Sequence, residues 1–210
     1  MDQRFAIFDM DGTLVDSMGY WHNMEREFLM SKGITDGLET ILEATKPMTL
    51  TESCAYFSSF CGIDCSPEEF IAEIEAIMAQ HYRHHVRVKS GVRDYLDALK
   101  AQGIPMCVAS ATNKPLVELC LETLGMRDYF SFILSCVEVG AGKNRPDVFL
   151  EAARRLGAQP TDCAVFEDAI YAVRSAKEAG FHVVAVKDAH NSSCWEELQS
   201  LADETITTWL

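Results

Sequence analysis

The segment Phe8-Asp9-Met10-Asp11-Gly12-Thr13-Leu14-Val15-Asp16-Ser17 sets two carboxylates two residues apart, directly behind the apolar run Phe5 to Phe8. Paired acids can divide labour, one ionised as nucleophile or metal ligand, the other protonated as general acid. Gly12 permits a sharp turn after them. Read alone, the same residues also make an ordinary solvated turn rich in Asp and Gly. A second segment, Val108-Ala109-Ser110-Ala111-Thr112-Asn113-Lys114, ends an apolar run with a hydroxyl and backbone N–H groups, which can bind phosphate oxygens. Its structural reading is Ser110 or Thr112 as a helix N-cap. A third, Val139-Gly140-Ala141-Gly142-Lys143-Asn144-Arg145-Pro146-Asp147, fits neither a Walker A loop nor GxGxxG, and leaves a lysine on a glycine-permitted turn. Alone, Lys143 reads as a surface lysine. In the fourth, Val165-Phe166-Glu167-Asp168, two adjacent acids end another apolar run. Acids are costly to crowd unless a cation neutralises them, and Mg²⁺ suits an all-oxygen donor set. The structural reading is an exposed pair capping the next helix.

These residues need elements to hold them. Apolar runs with few breaks, at Arg4 to Asp9, Pro105 to Ser110, Phe132 to Ser135, Cys163 to Glu167 and His182 to Val186, suit strands buried on both faces of a parallel sheet. Thr205 to Thr207 is a short further strand. Helical periods at Gly91 to Lys100, Pro146 to Leu156 and Ala169 to Ala179 stop at Gly103, Gly157 and Gly180. This alternation predicts an α/β core with a Rossmann-like, doubly wound parallel sheet. Residues 15–88 carry few strand signals. Helices are expected there at Tyr20 to Met30, Gly37 to Ala44, Thr49 to Phe60 and Ser66 to Arg83, with Thr49-Leu50-Thr51-Glu52 in capping-box spacing and Pro67 first in its helix. The expected division is a core of 1–14 and 89–210 with a small helical cap of 15–88. There is no internal repeat and no low-complexity linker.

The 210 residues are 48% apolar and 24% charged, which excludes a disordered or collagen-like chain. No apolar run approaches the ~18 residues of a membrane span. Eighteen Lys and Arg stand against 32 Asp and Glu, a net charge of −14. That balance argues against nucleic acid and anionic membrane as partners. An anionic substrate then demands concentrated local positive charge. The N-terminal residues lack the pattern of a secretion signal, so a cytoplasmic location is expected. Eight cysteines form no CxxC pair, and most lie inside apolar runs, where they read as small buried side chains of a reducing compartment. Cys61 and Cys65, with His81, His84 and His85, admit a zinc reading beside that of a solvated helix end.

Taken in order, the four segments resemble the haloacid dehalogenase (HAD) superfamily, in its β-phosphoglucomutase-like phosphatase branch with a helical cap. The likeness covers the whole chain and is most specific in DxDGTLxDS. It implies Asp9 as the nucleophile that becomes an aspartyl-phosphate. It implies Asp11 as the general acid/base, and Ser110, Ala111 and Lys143 as the phosphate-binding residues. Mg²⁺ would be held by Asp9, the backbone carbonyl of Asp11, and Asp168, with Glu167 assisting directly or through water. Asp11 argues for phosphate esters, because carbon–halogen hydrolases of the superfamily have no acid there and the phosphonate hydrolases have alanine. Asn144 stands where proline often follows the lysine, Ala169 where serine and Ala172 where glycine are common. Trp21 replaces a histidine of the mutases, with His22 beside it. The implied activity is hydrolysis of a small phosphorylated metabolite: a sugar phosphate, phosphoglycolate or a nucleotide monophosphate. A phosphomutase and a catalytically silent binding protein are the alternatives. The cap is expected to close over Asp9 and choose the substrate, with Tyr20, Trp21, Lys46 and Thr49 as candidate contacts and Tyr20 and Trp21 as cap core on the alternative reading. The expected state is a monomer.

Overall fold

The computed structural model describes residues 3–45, 48 and 50–209, with 50 and 51 by backbone alone. In chain order the elements are β1 (Phe5–Phe8), β2 (Val15–Asp16), α1 (Met18–Ser31), α2 (Leu38–Thr45), α3 (Leu50–Cys61), α4 (Pro67–His84), β3 (Arg87–Val88), α5 (Val92–Ala101), β4 (Met106–Ser110), α6 (Lys114–Thr123), β5 (Ile133–Ser135), α7 (Cys136–Val139), α8 (Asp147–Leu156), β6 (Cys163–Glu167), α9 (Ile170–Glu178), β7 (His182–Val186), α10 (Trp195–Leu201) and β8 (Glu204–Ile206). Lys46 and Thr49, and with Thr49 the first expected capping box, lie outside the described residues.

Six strands form one parallel sheet in the order β5-β4-β1-β6-β7-β8. This is the expected doubly wound α/β architecture. Strand β1 is central, and both faces of it are covered, which explains its unbroken apolar sequence. Ile7 points into a core shared with Val148, Phe149 and Ala152 of α8 and Val173 of α9. Phe8, one residue on and therefore on the opposite face, stacks on its register partner Phe166 at 4.3 Å and meets Phe130 edge-on. Trp209 and Tyr95 extend that aromatic layer. Deleting a buried phenyl ring from such a layer costs about 3–5 kcal/mol.

The chain divides into two compact units, Met1–Met18 with Val86–Leu210, and Gly19–His85. The sequence does not announce the ribbon β2–β3, whose strands have two residues each and pair antiparallel, Val15 with Val88 and Asp16 with Arg87. The ribbon stays with the sheet, so the units part a few residues inside the expected limits. The helical unit has its own core of Phe28, Leu29, Ile41, Cys54, Phe57 and Phe70, among others. Helix α4 buries Phe70, Ile74, Met78 and Tyr82, an i, i+4 stripe. It starts at Ser66, whose hydroxyl accepts from Glu69 N while the Glu69 carboxylate accepts from Ser66 N. No helix among the described residues is long and apolar enough to cross a membrane.

Candidate active site

Every chemistry-bearing segment emerges at the carboxyl edge of the sheet, where ligands bind in open α/β folds. Asp9 follows β1, and its N–H donates to Phe166 O at 3.0 Å, tying it to the neighbouring strand. The chain then folds back tightly. Met10 O accepts from Leu14 N and Val15 N, and Gly12 N donates to Val15 O at 3.0 Å. Gly12 has φ +82°, and a Cβ built there would lie 2.3 Å from Asp168 Oδ2. Only glycine lets this turn pass the acid of β6.

Lys143 is the pivot. It lies in the loop before α8, behind Gly140 in the left-handed conformation. It is 3% exposed, which removes the surface-lysine reading. Its ammonium donates to Asp9 Oδ1 and to Glu167 Oε1, the latter at 2.5 Å. The Ser175 hydroxyl fixes its backbone by donating to Lys143 O at 2.6 Å. Burial works against the ammonium, but Asp9 and Glu167 outweigh it and hold the lysine above its ordinary range. The other Asp9 oxygen, Oδ2, is buried and has no hydrogen-bond partner among the described residues. An orphan carboxylate oxygen in a dry site costs free energy unless a ligand or an electrophile meets it.

Glu167 and Asp168 are buried, not an exposed capping pair. Glu167 Oε2 accepts from Asp168 N and Ala169 N, both at 2.9 Å, which aims its other oxygen at Lys143. Asp168 Oδ1 accepts from the Thr13 hydroxyl at 3.4 Å. Its backbone carbonyl is held by Asn191, whose amide donates to Asp168 O at 3.0 Å and to Val186 O at 2.9 Å. Burial, then Glu167 and Asp9, push the Asp168 carboxyl well above the usual range. Burial likewise pushes Asp9 up to about 7, opposed by Lys143 and reinforced by Glu167 and Asp11. Among the described residues, Asp9, Glu167 and Asp168 are the one group of three or more acids, histidines or cysteines that offers ligand atoms within 4.8 Å of one another. A buried set of three carboxylates with a single lysine to balance it fits a hard divalent cation such as Mg²⁺.

Asp11 turns elsewhere. Its two oxygens accept from the Ser17 hydroxyl at 2.6 Å and the Thr112 hydroxyl at 2.8 Å. Hydroxyls donate or accept as needed, so they can serve this carboxyl in either protonation state. Thr112 therefore joins the second segment to the first. The N-cap of α6 is Asn113, not Ser110 or Thr112. Ser110 is buried at the end of β4, two residues past the Phe8–Val108 register pair, and its hydroxyl accepts from Thr112 N at 3.0 Å. Ala111 is exposed beside it. Within the helical unit, Trp21 packs against that unit's core and its indole N–H donates to Tyr82 at 3.1 Å, while Tyr20 stacks on His81. Sequence reasoning missed Thr13, Ser17, Thr112, Ser175 and Asn191 as site residues. Ser17 stood inside the first segment, while the spacing Asp188 to Asn191 of a capping box was the one local sign of Asn191.

A family model of haloacid dehalogenase-like hydrolases matches residues 6–186. The chain is 31% identical over 211 residues to the bifunctional riboflavin kinase/FMN phosphatase of Arabidopsis thaliana, covering 97% of this chain but 55% of that protein, so it spans about half the length of that relative. It is 30% identical to the fructose-1-phosphate phosphatase YqaB of Escherichia coli (strain K12), with 89% of this chain and 99% of the relative covered. The crystal structure of a putative beta-phosphoglucomutase from Thermotoga maritima superposes with a TM-score of 0.77 at 24% identity, over 97% of this chain and 94% of that one, and shares the fold.

Proposed function

Because the chain belongs to the haloacid dehalogenase-like hydrolase family, we propose that this phosphoric monoester hydrolase cleaves a small phosphorylated metabolite with Mg²⁺, through an aspartyl-phosphate on Asp9. The carrying observation is the division of Asp9: one oxygen engaged by Lys143, the other buried and without a partner among the described residues.

The free oxygen, Asp9 Oδ2, is the nucleophile. It forms a bond to phosphorus while the ester oxygen leaves. Asp11, protonated, gives its proton to that oxygen, and Ser17 and Thr112 hold the carboxyl in place. Asp11 then takes a proton from water, and the hydroxide oxygen attacks the aspartyl-phosphate, returning Asp9 and releasing phosphate. Two moderate barriers replace one high one. Lys143 meets the equatorial oxygens with a fixed charge, and Ser110 with the backbone beside Ala111 adds hydrogen bonds. Asp9, Glu167 and Asp168 would hold the Mg²⁺, which supplies charge neutralisation to the phosphoryl oxygens when bound. The relatives are named for FMN and fructose 1-phosphate; the substrate class inferred here is a sugar phosphate or similar small monoester. Substrate choice is assigned to the helical unit.

Phosphate release from a panel of such esters, with and without Mg²⁺, tests the reading. Magnesium-dependent release is expected, and Asp9→Asn is expected to abolish it with the thermal midpoint retained. Near-full activity in Asp9→Asn would remove Asp9 as nucleophile. Interconversion of sugar phosphates in place of phosphate release would make the enzyme a mutase.

A further inference from the structure

We propose that His81 and His85 form a second metal site, in the helical unit, for a borderline divalent ion of the Ni²⁺, Zn²⁺ or Cu²⁺ type. It is separate from the carboxylate site and does not depend on the phosphatase reading. His81 lies in the last turn of α4 and His85 is its C-cap. The His85 N–H donates to His81 O at 2.8 Å, so the helical register is kept and the two side chains share one face. Their Nδ1 atoms face each other at 3.1 Å.

The hydrogen on His81 can be placed. Its Nε2 stands 2.9 and 2.8 Å from the two oxygens of Glu27, on α1. A carboxylate only accepts, so Nε2 carries the hydrogen and, in the neutral ring, Nδ1 carries a lone pair. That lone pair is directed at the Nδ1 of His85. Either His85 donates its one hydrogen across the gap, or both rings turn lone pairs on a cation between them. The spacing fits a hydrogen bond, and it fits the second case as well. With metal–nitrogen bonds of about 2.0–2.1 Å, a 3.1 Å separation gives a chelate angle of roughly 100°, between the octahedral and tetrahedral values.

Three surroundings favour a cation. Glu27 on the far nitrogen is the partner that metal-bound imidazoles usually have, and it fixes the tautomer and the ring plane. The Tyr20 ring stacks on His81 at 4.4 Å and reaches His85 at 6.2 Å, which restricts both rings. The C-terminal turn of a helix carries partial negative charge. His81 keeps 12% of its side-chain surface exposed and His85 is exposed, so an ion can enter. Imidazole selects borderline ions over Mg²⁺. Among the described residues no third histidine, cysteine or acid completes a group of three here. The ion would therefore keep water in its other positions and exchange readily, unlike a four-ligand structural zinc.

The test is a Ni²⁺ titration of the tag-free chain with Mg²⁺ in excess, so that the carboxylate site is filled. Heat of binding and broadening of the imidazole NMR signals are followed. One equivalent of Ni²⁺ is expected to broaden the rings of His81 and His85 first. His85→Ala, at an exposed position, should weaken that binding at least about tenfold at an unchanged melting temperature; Glu27→Gln should weaken it by about 10–100-fold. Unchanged affinity in His85→Ala overturns the proposal. So does Ni²⁺ that broadens only His182, beside Asp203 and Glu204, or no broadening of the His81 and His85 rings at millimolar Ni²⁺, which would leave the pair a hydrogen bond alone.

Discussion

Lys143 lets two acids share one buried space, and its removal tests that directly. Lys143→Met keeps the length of the side chain and deletes its charge, leaving Asp9 and Glu167 facing each other without a counter-ion. Breaking a buried pair from one side costs about 3–5 kcal/mol, so the urea midpoint of the metal-free protein should fall accordingly. Turnover should vanish, and saturating Mg²⁺ should restore part of the stability without the activity. A midpoint equal to wild type would mean that the ammonium is not holding the acids. Thr112→Val probes a different atom at nearly constant volume. It removes the hydroxyl that donates to Asp11 Oδ2 at 2.8 Å. General acid–base catalysis contributes about 10²–10⁴-fold, so loss of this orienting hydroxyl should lower kcat by roughly tenfold or more with the melting temperature nearly unchanged. An unaltered kcat would separate Thr112 from the proton transfer. At this scale the sequence supplies side-chain type but not burial. Nothing around Gly142-Lys143-Asn144 marks the lysine as 3% exposed; that follows from the loop reaching back to the ends of β1 and β6.

Elements were more legible where packing forces a simple pattern. A strand covered on both faces must be apolar at consecutive positions, and Phe5–Phe8, Met106–Ser110 and Cys163–Glu167 carry that mark, so the acids at their ends could be placed at one edge of a sheet. The two-residue strands β2 and β3 carry no such mark, because two residues have no period, and their pairing depends on a partner more than 70 positions away. Helix α6 was legible as a helix opening behind the Ser110–Lys114 turn, but its N-cap fell on Asn113 and not on Ser110 or Thr112, whose side chains serve the site instead. Gly12 shows how an element enforces the site. The turn between β1 and β2 needs φ +82°, and the missing Cβ is where Asp168 Oδ2 stands. Gly12→Ala should strain the turn by about 1–3 kcal/mol and push the Asp168 carboxylate aside. Mg²⁺ affinity, measured by calorimetry, should drop by at least tenfold, well beyond the change in thermal midpoint. Equal affinity would show that Asp168 can move without leaving the metal-binding group.

The whole molecule carries a net charge of −14 and, on this reading, must accept an anion. At physiological salt the screening length is about 8 Å, so distant charges matter less than those at the site. There, one lysine stands against Asp9, Glu167 and Asp168, two negative charges in excess if all are ionised. The excess can be removed by two protons or by one divalent ion, and the two compete for the same oxygens. Burial pushes Asp9 up to about 7 and Asp168 above its ordinary range. Between the ordinary aspartate value of 3.8 and about 7 the folded metal-free protein therefore holds a proton on Asp9 that the unfolded chain has released. It follows that the stability of the metal-free protein falls as pH rises through that window. Mg²⁺ reverses the sign: it binds the deprotonated carboxylates, so its affinity should climb with pH through the Asp9 range, by up to about tenfold per unit for each proton displaced. Calorimetry at pH 6 in two buffers of different ionisation heat reads the protons released per Mg²⁺ bound. A fraction of a proton or more is expected at pH 6 and less at pH 8.5, where Asp9 is already ionised. Release that is zero at both values would mean that the acids are already ionised in the metal-free fold, with some other positive charge balancing them beside Lys143.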